Sequence, residues 1–281
     1  MNIKILSDST CDLSPALLEE YNVSLVPLTV IKDDKEYKDG IDITPADIFE
    51  HVANGGSLCT TSANSVGEYQ DIFEKYAKEY DGVIHINISS HFSSCFQNAC
   101  LAAEDYPNVR VIDSKNLSTG QGLVVLKACE LAKTCEDLDA IAAELNEFTG
   151  KVEASFLLDQ LKYMVKGGRC SAVVALGANL LNLKPCIEVK DGKMSVVKKY
   201  RGSYAKCLAS YVKDRLAGRE ENLQHSHLFV TKTPVTDECY TAVMNVVNEN
   251  NYFDRIHETD AGCTVSCHCG PGTLGVLFVR K

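Results

Sequence analysis

Gly82-Val83-Ile84-His85-Ile86-Asn87-Ile88 runs without a break into Ser89-Ser90-His91-Phe92-Ser93-Ser94. The first run is apolar and short, as a buried strand is. The second is a hydroxyl-rich loop, and a helix is expected to follow to about residue 105. The same order recurs at residues 3–7, which end in Asp8-Ser9-Thr10, and at residues 109–112, which end in Asp113-Ser114. Helices expected over about 15–21, 65–80, 118–133 and 136–149 separate or follow these strands. That alternation implies βαβ crossovers and a mostly parallel sheet flanked by helices. In such a sheet a ligand sits outside the carboxyl ends of the strands.

The rest of the first half fits around this unit. Residues 23–31 read as one apolar strand, with Pro27 marking an edge or an irregular start. Asp33-Asp34 make a turn, Lys35 to Tyr37 a return strand, and Thr44-Pro45 starts a helix to about residue 53. Residues 59–65 (Cys-Thr-Thr-Ser-Ala-Asn-Ser) are expected to be a loop. Past residue 150 the pattern changes. Strands are expected at 153–158, 226–231, 254–258 and 274–279. A hairpin is expected at 186–190 and 194–200 around Asp191-Gly192. Helices are expected over about 159–165, 172–181, 203–216 and 235–249. The chain therefore reads as α/β with two domains, an N-terminal α/β domain (1–150) and a C-terminal α+β domain (151–281).

Composition narrows the function. Of 281 residues, 45% are hydrophobic and 23% charged, which is ordinary for a globular chain with a real core. The formal charge of −10 and the lack of a Lys/Arg block argue against a nucleic-acid binder. No run of about 18 apolar residues suggests a membrane span. The thirteen cysteines are odd in number and scattered through apolar patterns, and no export signal precedes them. They are expected to be small buried hydrophobes in a reducing cytoplasm.

Several segments carry chemistry. The hydroxyl loops at 59–65 and 89–95 each precede a helix, where backbone N–H groups and hydroxyls together make an anion site. The plainer reading is that Ser65 or Asn64 only caps a helix. Asp8-Ser9-Thr10 either binds a metal or phosphate or closes a βα turn with its own hydrogen bonds. No G-x-S-x-G elbow supports a serine hydrolase. Cys263, Cys267, His268 and Cys269 suggest a metal, but Thr264-Val265-Ser266 read as a strand, whose successive side chains face opposite ways. No metal is expected there. Gly270-Pro271-Gly272 is a tight turn that positions His268, and Gly167-Gly168 present Arg169.

Taken in order, these segments resemble the DegV family, bacterial fatty-acid-binding proteins that serve a fatty acid kinase. The matching text is Ser7-Asp8-Ser9-Thr10-Cys11-Asp12-Leu13, Thr60-Thr61-Ser62, Ile88-Ser89-Ser90-His91-Phe92-Ser93 and Phe96-Gln97-Asn98-Ala99. It continues through Ile112-Asp113-Ser114, Lys166-Gly167-Gly168-Arg169, Leu183-Lys184-Pro185 and His268-Cys269-Gly270-Pro271-Gly272. The resemblance implies a long-chain fatty acid in an apolar tunnel between the two domains. Its carboxylate would be held by Thr61, Ser93 and His268, with Ser62 and Ser94 adjacent. It implies a cytoplasmic carrier that is not itself an enzyme, with no cofactor and no metal. It would present its ligand to the kinase for acyl-phosphate formation and phospholipid synthesis, with transient contact to a membrane surface. Arg169 and Arg201 match family arginines that are candidates to face the kinase and neutralise the reacting phosphate. Two departures stand out: Ser93-Ser94-Cys95 replaces the family's usual Ser-Gly-Thr, and Cys269 replaces the usual Thr after the histidine. The competing reading is a hydrolase or phosphotransferase acting on a small anionic metabolite. It would need a polar cleft and a nucleophile with its base.

Overall fold

The computed structural model describes residues 1–176, 183–250 and 252–281. The first half supplies β1 (Ile3–Asp8), α1 (Pro15–Glu20), β2 (Ser24–Val26), β3 (Thr29–Lys32), β4 (Lys35–Lys38), α2 (Pro45–Ala53) and β5 (Thr60–Ser62). It continues with α3 (Val66–Glu79), β6 (Gly82–Asn87), α4 (Cys95–Ala103), β7 (Val109–Asp113), α5 (Ser118–Ala132) and α6 (Leu138–Thr149). The second half opens with β8 (Val152–Leu157), α7 (Leu161–Gly167), α8 (Ser171–Leu176), β9 (Leu183–Lys190) and β10 (Lys193–Arg201). It closes with α9 (Tyr204–Leu216), β11 (His227–Lys232), α10 (Asp237–Glu249), β12 (Arg255–Asp260), α11 (Cys263–Cys269) and β13 (Leu274–Val279). The last residues of the helix expected over 172–181 lie outside the described residues.

Three sheets result. One is parallel, in the order β2-β1-β6-β7. One is mixed, in the order β10-β9-β8-β13-β11-β12, and one is a small antiparallel sheet, β4-β3-β5. This is the α/β architecture read from the strand–helix rhythm. In the parallel sheet the chain leaves β1 toward β2 on one side and returns as β6 on the other. The carboxyl ends of β1 and β6 therefore flank a topological switch point, where such sheets open a crevice.

Helix α5 joins the two large sheets. It packs on β1 and β6 of one sheet and on β8, β11 and β13 of the other. Its polar residues are buried with partners on both sides: Thr119 shares a 2.6 Å hydrogen bond with Thr231, and Gln121 Nε2 donates to Ser7 Oγ at 2.9 Å. A buried polar group is tolerated only with such partners.

Three local expectations change. The strand expected over 23–31 is two strands in two different sheets, because Pro27 has no N–H to continue the ladder beside β1. The backbone N–H of Leu28 then donates to Ser9 Oγ at 3.2 Å. Residues 60–62 of the expected loop are a strand, since β3 offers them an antiparallel edge with Val30 opposite Thr61. Residues 264–266, expected as strand, lie in α11. Two carboxylates from the first half satisfy the N–H groups at its start: Asp12 Oδ1 accepts from Gly262 N at 2.9 Å, and Asp39 accepts from Cys263 N at 2.9 Å and Thr264 N at 3.1 Å. Asp39 also accepts the hydroxyls of Thr264 at 2.7 Å and Ser9 at 2.9 Å. Tertiary hydrogen bonds of this strength override weak local strand propensity.

Asp12 and Asp39 contribute differently. Burial, with the charge of Asp39 adding, pushes Asp12 up to about 8. A carboxyl raised in the fold above its unfolded value of 3.8 loses its stabilising contribution as pH rises toward 8. Asp12→Asn keeps an acceptor for Gly262, reverses the Ser118 bond so that the amide donates to that hydroxyl, and removes the penalty. In urea titrations at pH 7 it is expected to unfold later than the wild type. Asp39→Ala strands four donors and is expected to lower the unfolding free energy by roughly 2–4 kcal/mol. Equal midpoints for all three proteins would show that α11 is held by other contacts.

Candidate functional site

The carboxyl end of β1 is occupied by its own bonds. Asp8 is fully buried. It accepts from Tyr69 Oη at 2.8 Å, from Asn87 Nδ2 at 3.0 Å and from Ile88 N at 3.0 Å. Thr10 Oγ1 donates to Gln121 Oε1 at 2.8 Å. Asp8-Ser9-Thr10 therefore closes the turn and ties β1 to β6. The plainer reading of Ser65 holds as well, since its hydroxyl and Glu68 form a capping box on α3.

The open space lies just above this floor. One chamber is bounded by β5, the loop before α4, Arg169 after α7, and α11. Thr61, Ser62, Ser93, Arg169 and His268 all line it, among apolar walls that include Ile88, Phe92, Met164 and Met194. A second chamber, walled by Ala154, Phe156, Val189 and Leu277, shares Leu117, Val265 and Cys269 with the first. The two hold about 560 and 390 Å³ of space free of protein atoms, solvent at the mouth included. Hydroxyls in the second chamber spend their hydrogens inside the protein. Thr233 donates to Gly270 O at 2.9 Å, Thr273 to Cys269 O at 3.0 Å and Ser118 to Asp12 at 2.5 Å. The inner chamber thus presents a largely apolar surface, and the outer one carries the polar groups.

At the outer end, Thr61 Oγ1 and His268 Nε2 are 2.8 Å apart. β5 supplies one partner and the last turn of α11 the other. Burial, with the nearby charge of Arg169 adding, lowers His268 to about 4, so the ring is neutral at neutral pH. Nδ1 is sealed from solvent and has no acceptor. A proton there would be a buried donor without a partner, so the proton belongs on Nε2. His268 then donates to Thr61 Oγ1, and the Thr61 hydroxyl is left to donate into the chamber.

The glycine pair before Arg169 has a structural reason. A Cβ built on Gly167 would lie 2.2 Å from His268 Nδ1, so only glycine lets the imidazole pack there. Gly168, at φ 68°, ends α7 in the left-handed region. Arg169 Nη1 donates to Gly167 O at 2.6 Å, and its Nε to Phe92 O at 3.4 Å. Arg169 is the sole charged side chain lining the outer chamber among the described residues.

Two of the residues expected here are not brought in. Ser94 is exposed at the start of α4 and does not line either chamber. Arg201 is exposed at the end of β10, opposite Leu183, also outside the lining. Ser93 is in place, with its hydroxyl donating to Cys95 Sγ at 3.0 Å and accepting from Cys95 N at 3.3 Å. The apolar wall was not legible in the sequence, because it gathers single residues from many elements. Cys263 and Cys267, one turn apart on α11, share a face buried with Cys59, whereas His268 faces the chamber. No group of three metal-binding side chains converges among the described residues.

The site's chemistry follows from these groups. Hydroxyl donors, a neutral imidazole and one guanidinium suit an anionic head, and the inner chamber suits an apolar tail. A Thr–His pair also resembles a nucleophile with its base. A general base needs a basic ring held by a third group, however, and this ring has a lowered pKa and a bare Nδ1.

A protonation measurement tests this description. Because His268 is lowered in the fold, the neutral ring's contribution to stability is complete above pH 6.5 and is lost as pH falls toward 4. In the ligand-free protein its NMR ring resonances are expected to stay at neutral-form positions from pH 8 to about 5. A midpoint near the unperturbed value would mean that the ring is solvated.

Comparison with known proteins places these features. The profile of a family described as "Uncharacterised protein, DegV family" matches residues 2–281. A DegV domain-containing protein of Caldanaerobacter subterraneus subsp. tengcongensis is 32% identical over 286 residues, 99% of each chain. Among solved structures, a DegV family protein of Thermus thermophilus described by its fatty acid binding superposes with a TM-score of 0.91, at 29% identity over 100% of both chains. DegV of Bacillus subtilis, described as a fatty acid binding protein, gives 0.87 at 27% identity over 100% of both. A stearic acid-binding protein of Eubacterium ventriosum gives 0.84 at 27% identity, covering 99% of this chain and 98% of that one.

Proposed function

The chain belongs to the DegV family, and from that membership and the cavity's geometry we propose that it binds one long-chain fatty acid, head outward and tail inward. The observation that carries the proposal is the Thr61–His268 pair at the mouth of a two-chambered apolar cavity. A carboxylate leaving water needs strong donors. The Thr61 hydroxyl, oriented by His268, supplies one. Ser93 supplies another by rotating its hydroxyl away from Cys95, and Ser62 stands at the rim. The tail continues past Leu117 and Val265 into the inner chamber. Each buried CH₂ contributes about 0.8 kcal/mol, so the tail sets the affinity and the head sets the orientation.

On this reading the protein is a carrier. It presents the carboxylate to a separate kinase that makes the acyl phosphate for phospholipid synthesis. Arg169 stands at the mouth beside the head group, where a phosphoryl group would develop charge. Arg201, exposed on β10, is free to meet a partner. The surface around Arg169 also carries Lys162, Lys166 and the exposed Val165 and Val174, a mixture suited to a protein or lipid surface. No helix among the described residues is long and apolar enough to cross a membrane. Among them the cavity offers no nucleophile with a properly held base, which favours the carrier over a hydrolase or phosphotransferase of a small anion.

Native mass spectrometry of the purified protein, followed by solvent extraction, tests the proposal. One equivalent of a long-chain acid is expected. Thr61→Ala, Ser93→Ala and His268→Ala are each expected to weaken binding by about tenfold, the effect of one lost hydrogen bond of about 1.4 kcal/mol. A ligand-free mass that does not change on adding fatty acids would overturn it.

A further inference from the structure

Two thiols lie directly behind the head-group pair, and the binding site leaves both unused. Cys59 immediately precedes β5, two positions before Thr61, and Cys267 immediately precedes His268 on α11. They are 6% and 3% exposed and belong to one small apolar cluster with Cys263. β5 packs against α11, and each thiol lies near enough to shift the other's titration. Cys263, one turn earlier, is engaged elsewhere: its thiol donates to Ile43 O at 3.1 Å.

The two thiols are unequal. The neighbouring Cys267 and the charge of Lys32 pull Cys59 below the ordinary thiol range, against the cost of burial. The neighbouring Cys59, with burial, pushes Cys267 up. Cys59 also follows directly on a segment, 53–58, of exposed and half-buried residues. A low-pKa thiol beside a second thiol is the arrangement of a reactive and a resolving cysteine.

We propose that Cys59 and Cys267 form a reversible disulfide on exposure to a hydroperoxide, and that this modification fastens β5 to α11 across the head-group site. The Cys59 thiolate attacks the peroxide O–O bond, becoming a sulfenic acid and releasing hydroxide, or alkoxide from an organic peroxide, which takes up a proton. The sulfur of Cys267 then attacks the Cys59 sulfur and the S–O bond breaks. The hydroxyl leaves as water with the Cys267 proton. The two thiols together lose two electrons, and the peroxide is reduced by two.

The consequence for the site is geometric. A disulfide is about 2.05 Å long, far shorter than any non-bonded contact between two sulfurs. It draws together the two elements that carry Thr61 and His268 and prevents them from parting. Slower ligand exchange follows, and this part of the proposal rests on the fatty-acid reading.

The test uses the purified full chain and hydrogen peroxide near stoichiometric amounts. The expected product has lost two hydrogens and yields a Cys59–Cys267 linked peptide in the mass map. Dithiothreitol reverses it, and Cys59→Ser, Cys59→Ala and Cys267→Ser lack it. Release of bound cis-parinaric acid, a fluorescent fatty acid, is expected to slow at least fivefold on oxidation in the wild type and to be unchanged in the variants. A sulfinic acid at Cys59 without the cross-link, or a first linkage at other cysteines, overturns the site. A cross-link with unchanged release overturns its action on the head group. If the reduced protein takes up no cis-parinaric acid, the fatty-acid reading fails, and the peptide map alone decides the disulfide.

Discussion

The carboxylate of Asp39 holds this molecule together at its functional end. It comes from the first half of the chain and accepts four hydrogen bonds, from Cys263 N, Thr264 N, Thr264 Oγ1 and Ser9 Oγ. Without an anion there, the exposed N–H groups at the start of α11 would be buried unpaired, which a fold rarely tolerates. With it, a seven-residue helix from near the end of the chain is seated against β3, β5 and α2. The cavity wall, the histidine and the cysteine cluster all ride on that helix.

The site sits where the fold leaves room for it. The crossing from β2 back to β6 opens a crevice, and α5 closes its far side by packing on both large sheets. The polar residues of α5 are consumed in that closure, Ser118 included, and Leu117 just before the helix lines both chambers. The division of labour along the cavity follows. Hydroxyls, the imidazole and the guanidinium collect at the mouth, and hydroxyls with spent hydrogens line the depth. Such a gradient sorts an amphipathic ligand by orientation before any specific bond forms.

The two departures from the family's usual text read differently once folded. At Ser94 the resemblance implies a glycine, yet the serine side chain is exposed and leaves the cavity alone. Cys95 is fully buried and bonded to the Ser93 hydroxyl, so the change at this position acts on a residue of the site through its neighbour. Cys269, where the resemblance implies a threonine, lines both chambers and places a thiol at their junction. A thiol is a poor hydrogen-bond former and a good apolar surface, which suits a tail better than a head.

Much of this protein was legible in residue order alone. Alternating strands and helices specify the parallel sheet, because a strand's apolar run and a helix's period are local properties. The capped helix starts at Thr44 and Ser65 are equally local, since the cap and its N–H partners lie within three residues. The hydroxyl loops, the glycine before Arg169 and the turn after His268 marked the site's parts. Only the tertiary structure decided how they meet. Thr61 and His268 are 207 positions apart, and no local signal sets a distance across such a separation. β5 is a strand only because β3 presents an edge, and α11 is a helix because Asp12 and Asp39 receive its first N–H groups. The chamber walls come one residue at a time from distant elements, so their shape exists only in the packed fold.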